Sequence, residues 1–332
     1  MGYCIDRIYV GREALCIHNP ATGREETMPH HISKTDGAPR RVVVVGAGPA
    51  GLEAARVCAE RGHRVVLFEA AGKPGGQIRL AARAPRRQDI IGIVDWLYAQ
   101  TRRLGVDIRL NHYVEAAEVL AAEPEVVIVA TGGLPNAGFL STGADLIVTS
   151  WDILSGAVKP AATVLLFDDH GNHEGYSCAE VIAESGSKLE LVTPDRALAQ
   201  EIGGTSYPAY LKIFYNRGVT LTLNHRLTAV QKRGDKQAAM LFNEYNKTTV
   251  ERAVDQVVVE NGTLPLADLY LDLKERSSNL GEMDLDALIA GRPQMRVNNP
   301  AGNFQLFRIG DAVSSRNIHA AIYDALRLCK DL

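Results

Sequence analysis

Aromatic side chains make up only 6% of this 332-residue chain, and its formal net charge is −3. A chain so poor in stacking surfaces and lacking a basic field has little with which to gather a phosphate backbone, so nucleic-acid binding is set aside. Long apolar runs are also missing. None approaches the roughly 20 residues needed to cross a bilayer, and the N-terminus has no charged-then-apolar signal pattern, so no membrane association is expected and a cytoplasmic location is the default. The five cysteines (Cys4, Cys16, Cys58, Cys178, Cys329) are too few, and odd in number, for a secreted disulfide framework. What is plentiful is hydrophobic residues, 46% of the chain, enough for a substantial core divided between two compact units.

Residues 1–38 read as irregular, ending in a linker at Gly37-Ala38-Pro39. The β-branched run Arg41 to Val45 predicts a strand, Leu52 to Arg61 a helix closed by Gly62, and Arg64 to Phe68 a second strand, which together make a βαβ unit. A helix over 88–104, a short strand over 106–110 and a buried-type strand over 125–130 extend a parallel sheet. The pattern restarts near Pro160 with a strand over 163–167, a helix over 177–184 and a strand over 188–192. After the strand 256–259, an apolar strand over 304–309 and a helix to about 328 return to the first module. The expected fold is α/β, with two Rossmann-like modules and the second inserted in the first. Its divisions are 39–155, the inserted 156–265, and the return 266–332.

The sharpest constellation is Gly46-x-Gly48-x-x-Gly51, between a predicted strand and a predicted helix, with Glu69 closing the next strand about 20 residues on. Glycines let the backbone approach a pyrophosphate, and the helix N-terminus, here opened by Pro49 and Ala50, offers unpaired N–H groups and a positive dipole. The acidic residue can accept ribose hydroxyls. Thr131 and Gly132 end a strand where small residues let the chain pass close to a nucleotide. Gly310-Asp311 ends the last strand with a carboxylate able to meet a ribityl or ribose hydroxyl. Gly76, Gln77 and Val114 complete the candidate cofactor-binding set.

The order Gly-Ala-Gly-Pro-Ala-Gly, Gly75-Gly76-Gln77, Ala-Thr-Gly-Gly and Ile309-Gly310-Asp311-Ala312 resembles the C-terminal half of the trimethylamine dehydrogenase and 2,4-dienoyl-CoA reductase family, over essentially the whole chain. The wording is closest to its N-methylproline and dimethylglycine demethylase-like members. The resemblance implies a pyridine nucleotide-disulfide reductase-like region holding FAD or only ADP, preceded in the parent by an FMN-binding barrel and a [4Fe–4S] cluster. It further implies substrate oxidation on that barrel, an electron-transfer flavoprotein as acceptor and a homo-oligomeric parent. By the same resemblance, Cys4 and Cys16 correspond to the last two cysteines of the cluster motif. Only two of four ligands are present, so the chain is expected to be a fragment beginning inside that motif, without an intact cluster.

The second module departs from a working nicotinamide site. Alignment of the strand ends puts Asp168, His170 and His173 where the three glycines belong, and no acidic residue ends the strand at Leu191-Val192-Thr193. Carboxylates repel a pyrophosphate and side chains fill the space backbone contact needs, which counts against NAD(P)H. Asp168, Asp169, His170, His173 and Glu174 are ligand types but show no spacing that aims them at one metal, and they read as a polar loop. Cys58 and Cys329 read as buried, while Cys178 lies near a helix start, where a dipole lowers a thiol's pKa, but nothing else marks it as a nucleophile and it is assigned no chemistry. The leading function is a FAD- or ADP-binding portion of an amine dehydrogenase or demethylase. A self-sufficient NAD(P)H-dependent flavin reductase and a non-catalytic ADP-binding scaffold are the alternatives.

Overall fold

The structure, a computed structural model, describes residues 2–332, which divide into two compact units. One comprises 13–79, 90–134 and 264–332; the other comprises residues up to 12 together with 80–89 and 135–263.

The first of these is built on a five-stranded parallel sheet in the order Gln305–Arg308, Val126–Val129, Arg41–Val45, Arg64–Phe68, Asp107–Arg109. Val42 to Val45, in the middle strand, are all buried, as a strand covered on both faces requires. Alternate residues point to opposite faces, so Val43 and Val45 join Val127, Val129 and Leu306 in one core layer with Tyr270 and Leu273. The helix Pro49–Glu60 leaves the central strand with Gly48 as an extended N-cap, and every residue from Ala50 to Cys58 is buried. Its small side chains let it pack against both Gly92–Arg103 and Ile318–Cys329. Gly62, at φ +96°, ends it.

The other unit repeats this architecture with the parallel order Val148–Thr149, Gln256–Glu260, Thr163–Asp168, Lys188–Val192, Thr220–Thr222. Alternation again assigns the faces. Val164 and Leu166 pack against Tyr176, Ile182 and Phe214 of the helices His173–Glu184 and Tyr207–Arg217. Leu165 and Phe167 pack on the other side against Leu227, Val230, Ala239 and Leu241. Those last residues belong to a three-stranded antiparallel sheet, His225–Arg233, Lys236–Asn243 and Thr248–Val254, which the sequence reading passed over.

Both modules are therefore Rossmann-like. The N-terminal segment differs from the expectation of irregular chain: Tyr3–Tyr9 is a helix. The second module's helix begins at His173, earlier than the expected 177, because Asn172 caps it through its own Oδ1. Cys178 is fully buried in that helix, so burial first, and then the charges of Glu260 and Asp168, push its thiol up instead of down. Cys58 and Cys329 are buried as expected. Among the described residues no helix is long and apolar enough to cross a membrane.

Candidate nucleotide site

At the C-terminal edge of the first sheet the chain turns from Val45 into the helix through residues 46–48. Gly46 sits at φ +101°, and a Cβ there would run into the carbonyl of Ala130. A Cβ on Gly51 would collide with the carbonyl of Gly46. These two glycines close the strand–turn–helix packing. Gly48 differs, because nothing lies within 4 Å of a Cβ built on it, so the turn is open on the side where a ligand would approach. Pro49 has no N–H to leave unpaired at the first helical position, and Ala50 and Gly51 follow in the turn where helical N–H groups lack carbonyl partners.

Glu69 reaches this loop. Its Oε2 accepts the Ala47 N–H at 2.7 Å and its Oε1 accepts the Ala71 N–H at 2.8 Å. The Ala47 carbonyl in turn accepts the Gly75 N–H at 2.8 Å, and Gly76, at φ +51°, comes within 3.5 Å of the Gly48 Cα as measured from a built Cβ. The Gly75-Gly76-Gln77 turn is thus folded over the glycine loop.

Gln77 donates from Nε2 to Asp311 Oδ2 at 3.2 Å, and the Arg316 N–H donates to Asp311 Oδ1 at 3.1 Å. Gly310, at φ +61°, approaches the loop as well: a Cβ there would stand 2.9 Å from the Cβ of Ala50. Thr131 donates from Oγ1 to the Leu266 carbonyl at 2.5 Å, and the Gly132 carbonyl accepts the Leu266 N–H at 3.0 Å. These bonds fix the crossing after Val126–Val129. Val114 is buried, in the core with Val45 and Phe68. Arg316 and Ala71 are contributors that the sequence reading missed. Arg316 follows the Gly-Asp pair at no fixed motif spacing, and Ala71 acts only through its backbone.

The equivalent turn of the second module is longer and closed. Phe167 pairs with Val192 as Val45 pairs with Phe68, so Asp168 takes the place of Gly46, and residues 169–172 separate it from the helix. That length corrects the expected alignment: the residue under the helix that matches Gly51 is Gly175, not His173. A Cβ on Gly175 would stand 2.6 Å from Asp168 Oδ1, so the close-packing glycine is retained. The fully buried Asp168 carboxyl accepts the N–H groups of His170 at 3.2 Å and Gly171 at 3.2 Å. These turn N–H groups are thereby engaged by an internal carboxyl. The Gly171 carbonyl accepts the Glu201 N–H at 3.1 Å, and Asp195 Oδ2 lies 3.2 Å from a Cβ built on Gly171. Residues 195–201 therefore lie against this turn.

Asp168 and Glu260 are register partners on adjacent strands, and both are buried. Burial, and then the Glu260 charge, push Asp168 well above the carboxylate range; burial, and then Glu174, push Glu260 up to about 7. Ser150 donates to Glu260, and Asp169 pairs with Arg226 at 2.6 Å. Burial, with Arg87 and Arg86, holds His173 down to about 3. Of the ligand-type residues in this loop, His170 and Glu174 lie 3.8 Å apart, while Asp169 is taken by Arg226. Of the two N-terminal cysteines, Cys4 is exposed, and Cys16 accepts the His18 N–H at 3.4 Å. No group of three or more His, Cys, Asp or Glu side chains able to hold a metal is gathered among the described residues.

An open glycine loop with an acidic partner, followed by a second module of the same topology, defines the class of flavoproteins built from two dinucleotide-binding domains. Comparison with known proteins agrees: residues 44–94 match the NAD(P)-binding Rossmann-like domain. Over 330 residues, 99% of the chain and 48% of the relative, it is 53% identical to a probable N-methylproline demethylase of Rhizobium meliloti. It is 48% identical over 344 residues to an N,N-dimethylglycine/sarcosine dehydrogenase of Chromohalobacter salexigens, covering 99% of the chain and 49% of that protein. The fold of histamine dehydrogenase from Rhizobium sp. 4-9 superposes with a TM-score of 0.78 at 24% identity, covering 98% of this chain and 46% of that one. These relatives put the chain in the trimethylamine dehydrogenase-like flavoprotein family that its motifs resemble. The chain spans about half the length of the curated relatives it matches.

Proposed function

We propose that this chain is the FAD- or ADP-binding portion of a multi-cofactor oxidoreductase of the N-methyl amine dehydrogenase or demethylase type. The observation that carries the reading is the open space at Gly48 beside the carboxylate of Glu69. In it, a pyrophosphate would lie over the Gly48 backbone against the N-terminus of Pro49–Glu60, and Glu69 would exchange its bonds to Ala47 and Ala71 for ribose hydroxyls. Asp311, aimed by Gln77 and Arg316, would meet a further hydroxyl. FAD, when bound, supplies a redox centre able to take up and pass on electrons; the chain's residues hold it and orient it.

On this reading substrate oxidation belongs to an FMN barrel outside these 332 residues. A [4Fe–4S] cluster drawing on Cys4 and Cys16, a homo-oligomeric cytoplasmic parent and an electron-transfer flavoprotein as acceptor complete the proposal. The names of the relatives support an N-methylated amine as the substrate class. The closed turn at Asp168 argues against a self-sufficient NAD(P)H-dependent flavin reductase, because the loop N–H groups already serve an internal carboxyl. The test is calorimetric titration of nucleotide-free protein with ADP. Wild type should bind and Gly48→Glu should not, since its carboxylate would occupy the pyrophosphate space. Equal binding by both proteins would contradict the site.

A further inference from the structure

Behind the Gly310-Asp311 turn stands a closed ring of hydrogen bonds. The Gly310 N–H donates to Asp324 Oδ2 at 3.2 Å, and the Arg316 guanidinium donates to Asp324 Oδ1 at 3.3 Å and to the Gly310 carbonyl at 3.4 Å. The backbone N–H of Arg316 closes the ring onto the Asp311 carboxylate. Asp324 projects from the helix Ile318–Cys329, whose buried face is anchored by Ile322, Ala325 and Leu326, so the ring ties the turn to a rigid element. Gly310 has a left-handed backbone, and a Cβ on it would stand 2.9 Å from the Cβ of Ala50 in the glycine loop. It has no side chain, and its N–H and carbonyl are both engaged by the ring, the carbonyl also accepting the Val313 N–H at 3.0 Å.

We propose that Asp324 and Arg316 are positioning residues that set the preference of the site for FAD over ADP. The proposal rests on the reading that the Gly46 loop holds the nucleotide. ADP and FAD share the pyrophosphate and adenosine, which fall to the loop and Glu69; they differ in the ribityl chain and the ring beyond it, the part Asp311 would meet. Asp311 has one oxygen steered by Gln77 and the other by the Arg316 backbone. Release of Arg316 from Asp324 would loosen the stretch that aims Asp311, while the Ile309 N–H on the Val129 carbonyl and the Val313 N–H on the Gly310 carbonyl keep Gly310, and with it the loop and Glu69, in place. A charged hydrogen bond to one hydroxyl would then be lost from FAD alone.

The test measures dissociation constants for both ADP and FAD on the nucleotide-free chain with Asp324→Asn, Arg316→Ala and Arg316→Lys. Asp324→Asn and Arg316→Ala should weaken FAD about tenfold and leave ADP within about twofold of wild type. Arg316→Lys, which keeps a cation opposite Asp324, should recover most of the loss. The ratio of the two constants is the readout, because a merely structural role would weaken both ligands together. An unchanged ratio in the variants overturns the proposal, whether affinity is kept or falls equally. If Asp324→Asn does not fold, the two Arg316 variants decide it alone. Wild type that binds neither nucleotide overturns the reading of the loop, and the inference falls with it.

Discussion

Glu69 and Ala47 meet across the nucleotide loop: the carboxylate of one accepts the backbone N–H of the other at 2.7 Å. They lie 22 residues apart in sequence, on the strand end and the glycine turn. The carboxylate is therefore held at the loop before any ribose is present to claim it. Glu69→Ala should weaken ADP by roughly 10- to 100-fold, the worth of a charge-assisted hydrogen-bond pair, as read by calorimetry. An affinity within twofold of wild type would show that the carboxylate serves the loop alone.

Gly51→Ala would drive a methyl group into the Gly46 carbonyl. Backbone on one side and helix on the other leave nothing flexible to yield, so the cost should be about 3 kcal/mol or more, seen as a lowered midpoint in thermal unfolding. Gly48→Glu should leave that midpoint nearly unchanged, because its site is open. A reversed ranking of the two variants would mean that the loop packs differently.

Proton linkage gives a prediction for the second module. Glu260 titrates at about 7 when folded, against 4.5 for the ordinary group, and Asp168 shifts in the same direction. The folded state holds these protons more tightly. The associated stability is present below about pH 4.5 and is lost as the pH rises through about 7. Asp255, held by Lys236 down to about 2, acts in the opposite sense, and only in acid. Glu260→Gln should therefore gain stability relative to wild type between pH 6 and 8, as followed by the pH dependence of thermal unfolding. Parallel curves for the two proteins would contradict the tighter hold on the proton by a buried carboxyl at this point.

The closed turn leads to a further expectation. Asp168→Gly removes the internal carboxyl but leaves the Glu201 N–H on the Gly171 carbonyl and Asp195 against the turn. Calorimetry with NADH should show no binding by this variant. Binding would mean that Asp168 alone shuts the site.

These sites differed in how legible they were. The Gly46 loop could be read because a β-branched strand, three glycines and an acidic strand end each have a local cause and fall in one order. The matching glycine of the second module, Gly175, is missed by the spacing, which puts His173 in its place, because the turn before it carries two further residues and motif spacing does not report an insertion. The segment 195–201 and the Asp324–Arg316 pair act through contacts that only the folded chain creates. Cys178 shows the same limit, since position along a helix does not tell how deeply a residue is buried.

The most direct measurement for the central claim is a visible spectrum of the purified chain, followed by acid release and chromatography of the bound nucleotide. The account predicts a released adenine nucleotide, with flavin bands where that nucleotide is FAD and a colourless protein where it is ADP. A chain that folds, releases neither, and takes up neither when titrated would contradict the nucleotide site at Gly46–Gly51.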